Sequence, residues 1–508
     1  MESNRSFRVV VTMALCAMCV TFAAGCTDGT EDTVDRGPGD TAALPQWTFD
    51  SSMLFPGDGS LARPEDGVAL PDGRLIVGDQ VHGLRLVELD GSSAPFGEMA
   101  AAGYVHNPPE RSGGPNGVSL EPDGAHLLVA DIFNGGIYRV EVATGATERV
   151  YQHRYGVNTA VRDSRGAIWF TQSAQNTPEA GEARMWATVD IPRPEGALLR
   201  LAMDGDRFAT EAEVLVDSLY FANGVVIDEA SGHLYVAETM GGRVLRYRVD
   251  LDAGQLSDRS VFVDGVEPDN LELDGEGHLW IALPLANGLL AVDTETGARH
   301  LAFSSVTPAQ QEVIEEFVRR GQSGTPRLEL LTPALWDPLP AFVTGVIVGP
   351  GDGPVYLTGL GDALVRLPAA SELDAERLQE FGVRYTAAWS SHDAAAVASF
   401  FGEGGSLQVN DDAPAVGREA IAAIAQSFMD AFPDFVLEMD SLRMQAGAVE
   451  YHWTFAGTNT GPGGSGKAVR FSGHEEWTIG ADGLVAESKG HFDEAEYARQ
   501  LESGVGGS

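Results

Sequence analysis

The sequence predicts a mainly β protein: a six-bladed β-propeller over residues 46–368, followed by a small α+β cone, a curved antiparallel sheet with helices, over 372–502. Three observations predict it. One strand–turn–strand unit recurs six times, the copies are spaced as propeller blades are, and after Pro368 the strand pattern gives way to helical periodicity.

The six copies are EDGVALPDGRLIVGD with GLRLVEL, PNGVSLEPDGAHLLVAD with GIYRVEV, VNTAVRDSRGAIWFTQ with GALLRLAM, ANGVVIDEASGHLYVAE with RVLRYRV, DNLELDGEGHLWIAL with GLLAVD, and VTGVIVGPGDGPVYLTG with ALVRLPA. Within each, apolar runs flank a turn rich in Gly and Asp, the punctuation of a β-hairpin. Copies start about 40 to 75 residues apart, the longer intervals holding two insertions. Ser173 to Glu195 lengthens the third unit, and Pro308 to Gly321 reads as a helix capped by Thr307. Six units close into a ring, which hides most strand edges.

The chain start carries a secretion pattern. Arg5 and Arg8 precede an apolar run, Val9 to Phe22, too short for a comfortable membrane span. Ala23-Ala24-Gly25-Cys26 then resembles a lipobox, so residues 1–26 are expected to be a lipoprotein signal with Cys26 lipidated. Cys16 and Cys19 leave with the signal, so no disulfide forms within one mature chain. Residues 27–45, acidic and poor in large apolar groups, read as a flexible tether. The expected location is the cell envelope, on the outer membrane or periplasmic face, with membrane contact through the lipid anchor alone. A net charge of −41 argues against nucleic-acid partners, which need basic patches.

Aligning the six unit starts on their X-Gly-Val pattern puts Asp66, Asn116, Asn158, Asn223, Asn270 and Thr344 at one position, with Glu65 and Asp269 immediately before two of them. The innermost strand of a blade borders the central channel, so equivalent positions form a ring. Five of six units offer a carboxylate or carboxamide there, a donor set that suits a hard cation, most of all calcium. No Cys or His joins it, which argues against a typical zinc site. Glu65 and Asp269 would neutralise a divalent charge.

At these residues the chain resembles the calcium-dependent six-bladed lactonases, the gluconolactonase/regucalcin family and the paraoxonases. The runs FANGVVIDEASGHLYVAETMGGRVLRYRV and PDNLELDGEGHLWIAL also resemble strictosidine-synthase-like propellers. The resemblance implies Glu65, Asn158, Asn223, Asp269 and Asn270 as metal ligands and Asp269 as the group that orients or deprotonates water. Asn116, Asp66 and Thr344 are expected in the substrate pocket. Asn116 stands where paraoxonases carry a catalytic histidine, and Thr344 where strictosidine synthases carry a glutamate, so neither a histidine dyad nor alkaloid condensation is expected. Thr159 replaces an aspartate that paraoxonases use for a second calcium. His106 and His153, on loops near the blade tops, are candidate assistants.

Beyond Pro368 the expected elements are helices Glu372–Ser390, Asp393–Phe401 and Arg418–Phe432, then strands Phe435–Met444, Val449–Gly457, Lys467–Ile479 and Leu484–Phe492. GREAIAAIAQSFMDAFPDF, GTNTGPGGSGKAVRFSGHEEWTI and DGLVAESKGHFDEAEYARQL resemble the SnoaL-like polyketide-cyclase branch of the ketosteroid-isomerase-like superfamily. Those cyclases carry an acid/base aspartate on the last strand; here Ser488-Lys489-Gly490 stands in that region, so the acid is absent or moved. Glu487, Lys489 and His491 share a face by the strand period, with His452 and His474 on neighbouring strands, a set that lines a pocket, faces solvent or meets a dimer partner. The expected function is metal-dependent hydrolysis of lactones or related esters. The alternative is a propeller that binds a small molecule or a protein around a structural ion.

Overall fold

The computed structural model describes residues 44–508 except 206, 352, 446, 447, 481, 482, 507 and 508. The expected signal, Cys26 and nearly all of the tether lie outside the described residues. No helix among the described residues is long and apolar enough to cross a membrane.

Six four-stranded antiparallel sheets follow one another along the chain as six blades, which confirms the propeller. Blade 1 comprises Gly67–Ala69, Leu75–Asp79, Gly83–Val87 and Ser93–Phe96, and blades 2 to 5 repeat the order. The last blade takes only three strands from its own unit, Val343–Val348, Val355–Gly359 and Leu364–Leu367. Its outermost strand is Leu54–Phe55 from the start of the domain, with Leu54 opposite Val365 and Phe55 opposite Leu364. This closure was hidden in the sequence, because two residues make no periodic signal.

Apolar clusters sit between neighbouring blades rather than within them. Leu70, Ile76 and Leu84 of blade 1 pack on Val118, Leu127 and Val129 of blade 2. Leu75, Val77 and Val87, on the other face of blade 1, pack on Ile347, Tyr356 and Leu364 of blade 6. Each blade is therefore buried on both faces, which holds the ring together without disulfides.

Both insertions are helical: α1 spans Gly181–Asp190 and α2 spans Pro308–Ser323. Thr307 caps α2, its hydroxyl accepting from the Gln310 N–H while Gln310 answers with the Thr307 N–H, a capping box. The helices share an apolar cluster with blade-end residues: Met185 and Val189 from α1, Ile314 and Phe317 from α2, with Phe133, Phe221, Leu285 and Phe342. Arg327 fastens them. Its guanidinium lies 4.0 Å from the Phe317 ring centroid and donates to the carbonyls of Val189 and Phe317 at 2.9 and 3.1 Å.

The C-terminal unit has helices α3 (Ala370–Ser390), α4 (Ala394–Ala398), α5 (Arg418–Ala431) and α6 (Glu494–Ser503) around a six-stranded sheet. Its strand order is Ala415–Val416, Phe401–Val409, Val485–Phe492, Ala468–Ile479, Ala448–Thr458, Val436–Gln445. Tyr385, Ile421, Ala425, Phe432, Tyr451 and Trp477 form its core. One expected helix is corrected: α4 stops at Ala398, and Phe401–Val409 is a strand parallel to Val485–Phe492. Glycines 402, 404 and 405 gave that strand the composition of a loop.

Candidate active site

The inner strands set the geometry of the axis. Gly67, Val118, Ala160, Val225, Leu271 and Val346 are equivalent, opposite Val77, Val129, Phe170, Val236, Ile281 and Leu357 of the next strand. Two residues upstream of them stand Glu65, Asn116, Asn158, Asn223, Asp269 and Thr344, and all six line one pocket. The ring is therefore real, but in blades 1 and 5 its members are Glu65 and Asp269 rather than Asp66 and Asn270.

The correction has a simple cause. Aligning on glycine matches Gly67 with Gly117, whereas the ladders place Gly117, Gly224 and Gly345 level with Asp66, Thr159 and Asn270. The even blades need glycine there because the next blade comes close. A Cβ on Gly117 would lie 2.6 Å from Thr159 Cα, and one on Gly224 2.8 Å from Asn270 Cα. Asp66 and Asn270 consequently fall outside the pocket lining. Asp66 accepts the Val118 N–H at 2.9 Å, which corrects its expected place in the substrate pocket. Asn270 bridges Glu65, to which its Nδ2 donates at 3.3 Å, and the Thr159 hydroxyl, from which its Oδ1 accepts at 3.2 Å.

Two ring amides are tied by their nitrogens. Asn158 Nδ2 donates to Ser173 Oγ at 3.0 Å, and Asn223 Nδ2 to Thr239 Oγ1 at 3.1 Å. These hydroxyls pass their own protons to the carbonyls of Ala222 and Pro268. Asn223 Oδ1 is left buried with no donor, as is Asp269 Oδ1. A buried acceptor without a partner costs about 1–3 kcal/mol, so such atoms call for a ligand.

The carboxylates are in the same position. Burial pushes Glu65 up to about 7, with the Arg63 charge and the Asn270 and Asn116 amides acting against it. Asp269 is held well above the usual carboxylate range by burial and by the nearby Glu65 charge, with the Asn223 amide and Arg63 opposing. Two buried carboxylates that repel each other, beside the donor-free Asn223 Oδ1 and the Asn158 Oδ1 that accepts only the Thr159 hydroxyl, form an all-oxygen set that fits a hard divalent cation. Glu65, Asn158, Asn223 and Asp269 are the residues that would hold it.

The rest of the pocket divides by chemistry. Arg63 donates from Nη2 to Asn116 Oδ1 at 3.0 Å and from Nη1 to the Pro115 carbonyl at 3.3 Å, and it faces the Phe133 ring. Met185, Trp186, Phe221, Leu285, Phe317 and Phe342 supply an apolar wall around a cleft of about 700 Å³ including its mouth. Sequence reading missed Arg63 and this wall, and it missed Ser173 and Thr239, which follow the second strand of their units. His106 and His153 do not line the pocket. His106 Nδ1 accepts the Gly113 N–H, and buried His153 hydrogen-bonds Gln172 at 3.0 Å.

The family described as SMP-30/Gluconolactonase/LRE-like region matches residues 134–307, and that described as SnoaL-like polyketide cyclase matches 380–501. The chain joins a gluconolactonase-like domain to a SnoaL-like domain. Its relatives include the strictosidine synthase-like 4 protein of Arabidopsis thaliana, 26% identical over half of this chain and 65% of that protein. The adipocyte plasma membrane-associated protein Hemomucin of Drosophila melanogaster is 28% identical over 34% of this chain and 30% of its own length. The chain thus spans from under a third to just under two thirds of these curated relatives. Among solved structures, a gluconolactonase of Xanthomonas campestris aligns over 65% of this chain and 96% of its own, at 19% identity and a TM-score of 0.41. A ketosteroid isomerase-like protein of Catenulispora acidiphila aligns over 24% of this chain and 92% of its own, at 13% identity and a TM-score of 0.22.

The SnoaL-like domain holds a separate cavity, lined by Trp389, Phe428, Trp453, Phe455, Phe471 and Phe492 among others, with one carboxyl, Glu475. Glu475 accepts from Ser488 Oγ at 2.6 Å, Trp477 Nε1 at 2.9 Å and Tyr385 Oη at 3.1 Å, and burial raises its pKa. A buried acid is thus present on the strand paired with the last one, touching Ser488. His452, His474 and His491 do not line this cavity. The strand period places Glu475 inward and His474 outward, and His474 and His491 border a shallow depression on the outer face.

Proposed function

We propose that the propeller is a metal-dependent hydrolase of lactones or related esters, with calcium as its resident ion. The observation that carries this reading is the axial ring, where Asn223 and Asp269 each keep a buried oxygen with no donor inside a cleft with an apolar wall. Family membership of the surrounding region supports the lactonase class. Glu65, Asn158, Asn223 and Asp269 would hold the ion, with Asn270 bracing Glu65. When bound, it supplies Lewis-acid polarisation of an ester carbonyl.

The chain's own residues do the remainder. Asp269, on the edge of the ring and lining the cleft, is the carboxylate that would orient a water and take its proton. Arg63 brings fixed positive charge to the mouth of the ring and steadies Asn116. Phe221, Trp186, Leu285 and Phe342 receive the hydrocarbon part of the substrate and exclude water from it. The lipobox-like run ending at Cys26 supports a cell-envelope location for this activity, and Cys26→Ser should abolish fatty-acid labelling.

The test is hydrolysis of a panel of γ- and δ-lactones by the full chain, with and without a chelator. Activity should vanish on chelation and return with calcium, and Asp269→Asn should lose about 100-fold or more in rate, the scale of general-base catalysis. Normal metal binding together with wild-type hydrolysis in Asp269→Asn would remove Asp269 from the mechanism. A wild type that binds metal and hydrolyses nothing would transfer the site to the binding-propeller reading.

A further inference from the structure

The outer face of the SnoaL-like sheet carries a second constellation, unrelated to the axial ring. Strands Ala448–Thr458, Ala468–Ile479 and Val485–Phe492 are adjacent and antiparallel, and their register sets His452 opposite His474 and His474 opposite His491. Three imidazoles thus stand in a row across three strands. The His452 and His474 ring centroids are 5.5 Å apart at 27°, and those of His474 and His491 are 5.1 Å apart at 32°. Glu476, two residues beyond His474, shares the face. One ligand atom from each of His474, Glu476 and His491 lies within 4.8 Å of the others.

Packing does not account for this row. The large buried side chains, Tyr451 and Trp477, and the saturated Glu475 point to the other face. The rings of His474 and His491 make no hydrogen bond among the described residues. Glu476 Oε1 stands 4.0 Å from His474 Nε2, too far for a hydrogen bond and a little beyond the roughly 3.4 Å that two tetrahedral bonds of about 2 Å subtend, so a small side-chain rotation brings both onto one ion. His452 is oriented by Glu450, its Nε2 lying 3.3 Å from Glu450 Oε2.

Two other His–carboxylate groups lack this character. In the blade 2 turn, Glu121 is consumed by Arg139 and Arg162, and Asp123 by the Ala125 and His126 N–H groups. In the blade 5 turn, Asp274 is saturated by Glu276, His278 and Trp280. Both are turn-bracing networks with their acceptors spent.

We propose that the outer face of the SnoaL-like sheet is a binding site for one transition-metal ion of the zinc class, ligated by His474, His491 and Glu476, with His452 stacked beside His474 as a positioning residue. Imidazole with a single carboxylate selects such an ion, whereas calcium requires an all-oxygen set of the kind at the propeller axis. His474 and Glu476 on one strand and His491 on its neighbour stand on a fixed sheet, so only side-chain rotation is needed to close on the ion.

Zn²⁺ titrated into the metal-free full chain, with calcium kept in excess, tests this directly. The wild type should bind one Zn²⁺ per chain in the micromolar range or tighter. His474→Ala/His491→Ala should weaken that binding 100-fold or more, His452→Ala about tenfold, and Asp269→Asn not at all. Co²⁺ supplies a readout that does not depend on the variants' folding: wild type loaded with it should show ligand-field absorption that Zn²⁺ bleaches. Zinc binding unchanged in the double variant, no binding below the millimolar range, or no Co²⁺ spectrum in the wild type would each overturn the assignment.

Discussion

Two buried acidic sites in this chain are built on opposite principles. At the propeller axis, Glu65 and Asp269 face each other's charge, Asn158 and Asn223 turn their nitrogens away to Ser173 and Thr239, and two oxygens are left without donors. In the SnoaL-like cavity, Glu475 receives three donors, from Ser488, Trp477 and Tyr385. Burial raises the pKa in both cases. The first site has acceptors left over that a divalent cation would satisfy; the carboxyl of the second is supplied with donors by the chain.

The sharpest way to break this comparison is to neutralise the surplus. Glu65→Gln/Asp269→Asn should abolish calcium-induced stabilisation, which at a hundredfold excess over Kd is worth about 2.7 kcal/mol in the wild type. Thermal melts of the propeller with and without calcium read it directly. Gly117→Ala should follow, costing about 1–3 kcal/mol by forcing blade 2 off blade 3, because the added methyl meets backbone Cα rather than a side chain that can move. Urea unfolding measures that loss.

On the other side of the comparison, Tyr385→Phe removes one donor from Glu475 and should cost about 1–2 kcal/mol while leaving calcium affinity unchanged. The smallest effect expected is a pH dependence. Burial holds His153 below its ordinary value of 6.5, the Gln172 hydrogen bond partly opposing. The unfolded chain therefore takes up that proton first, so stability is full above 6.5 and declines as pH falls below it. His153→Gln should flatten the decline in melts between pH 7 and 5.

Legibility differed between the two regions for physical reasons. Six repeats made the propeller plain, because each copy confirms the others, and three of the six ring positions aligned as Asn before Gly or Thr. Alignment slipped by one residue at Asp66 and Asn270, since the glycine of blade 1 serves the strand and those of blades 2 and 4 serve the neighbouring backbone. Arg63 and the helical wall from α1 and α2 belong to no repeat and carried no pattern. In the SnoaL-like domain three helices and four long strands were visible, but the last helix, Glu494–Ser503, was missed, and Phe401–Val409 was masked by glycines. Glu475 went unnoticed beside His474, because one step along a strand exchanges the inner face for the outer.

On the proposed reading, the axial ring binds one calcium ion through a set that includes the donor-free Asn223 Oδ1 and Asp269 Oδ1. Calorimetric titration of the metal-free full chain with Ca²⁺, alongside Glu65→Gln, tests it most directly. One equivalent of calcium should bind the wild type, and the variant should bind at least a hundredfold more weakly. Absence of binding in the wild type, or equal affinity in the two proteins, would contradict the account.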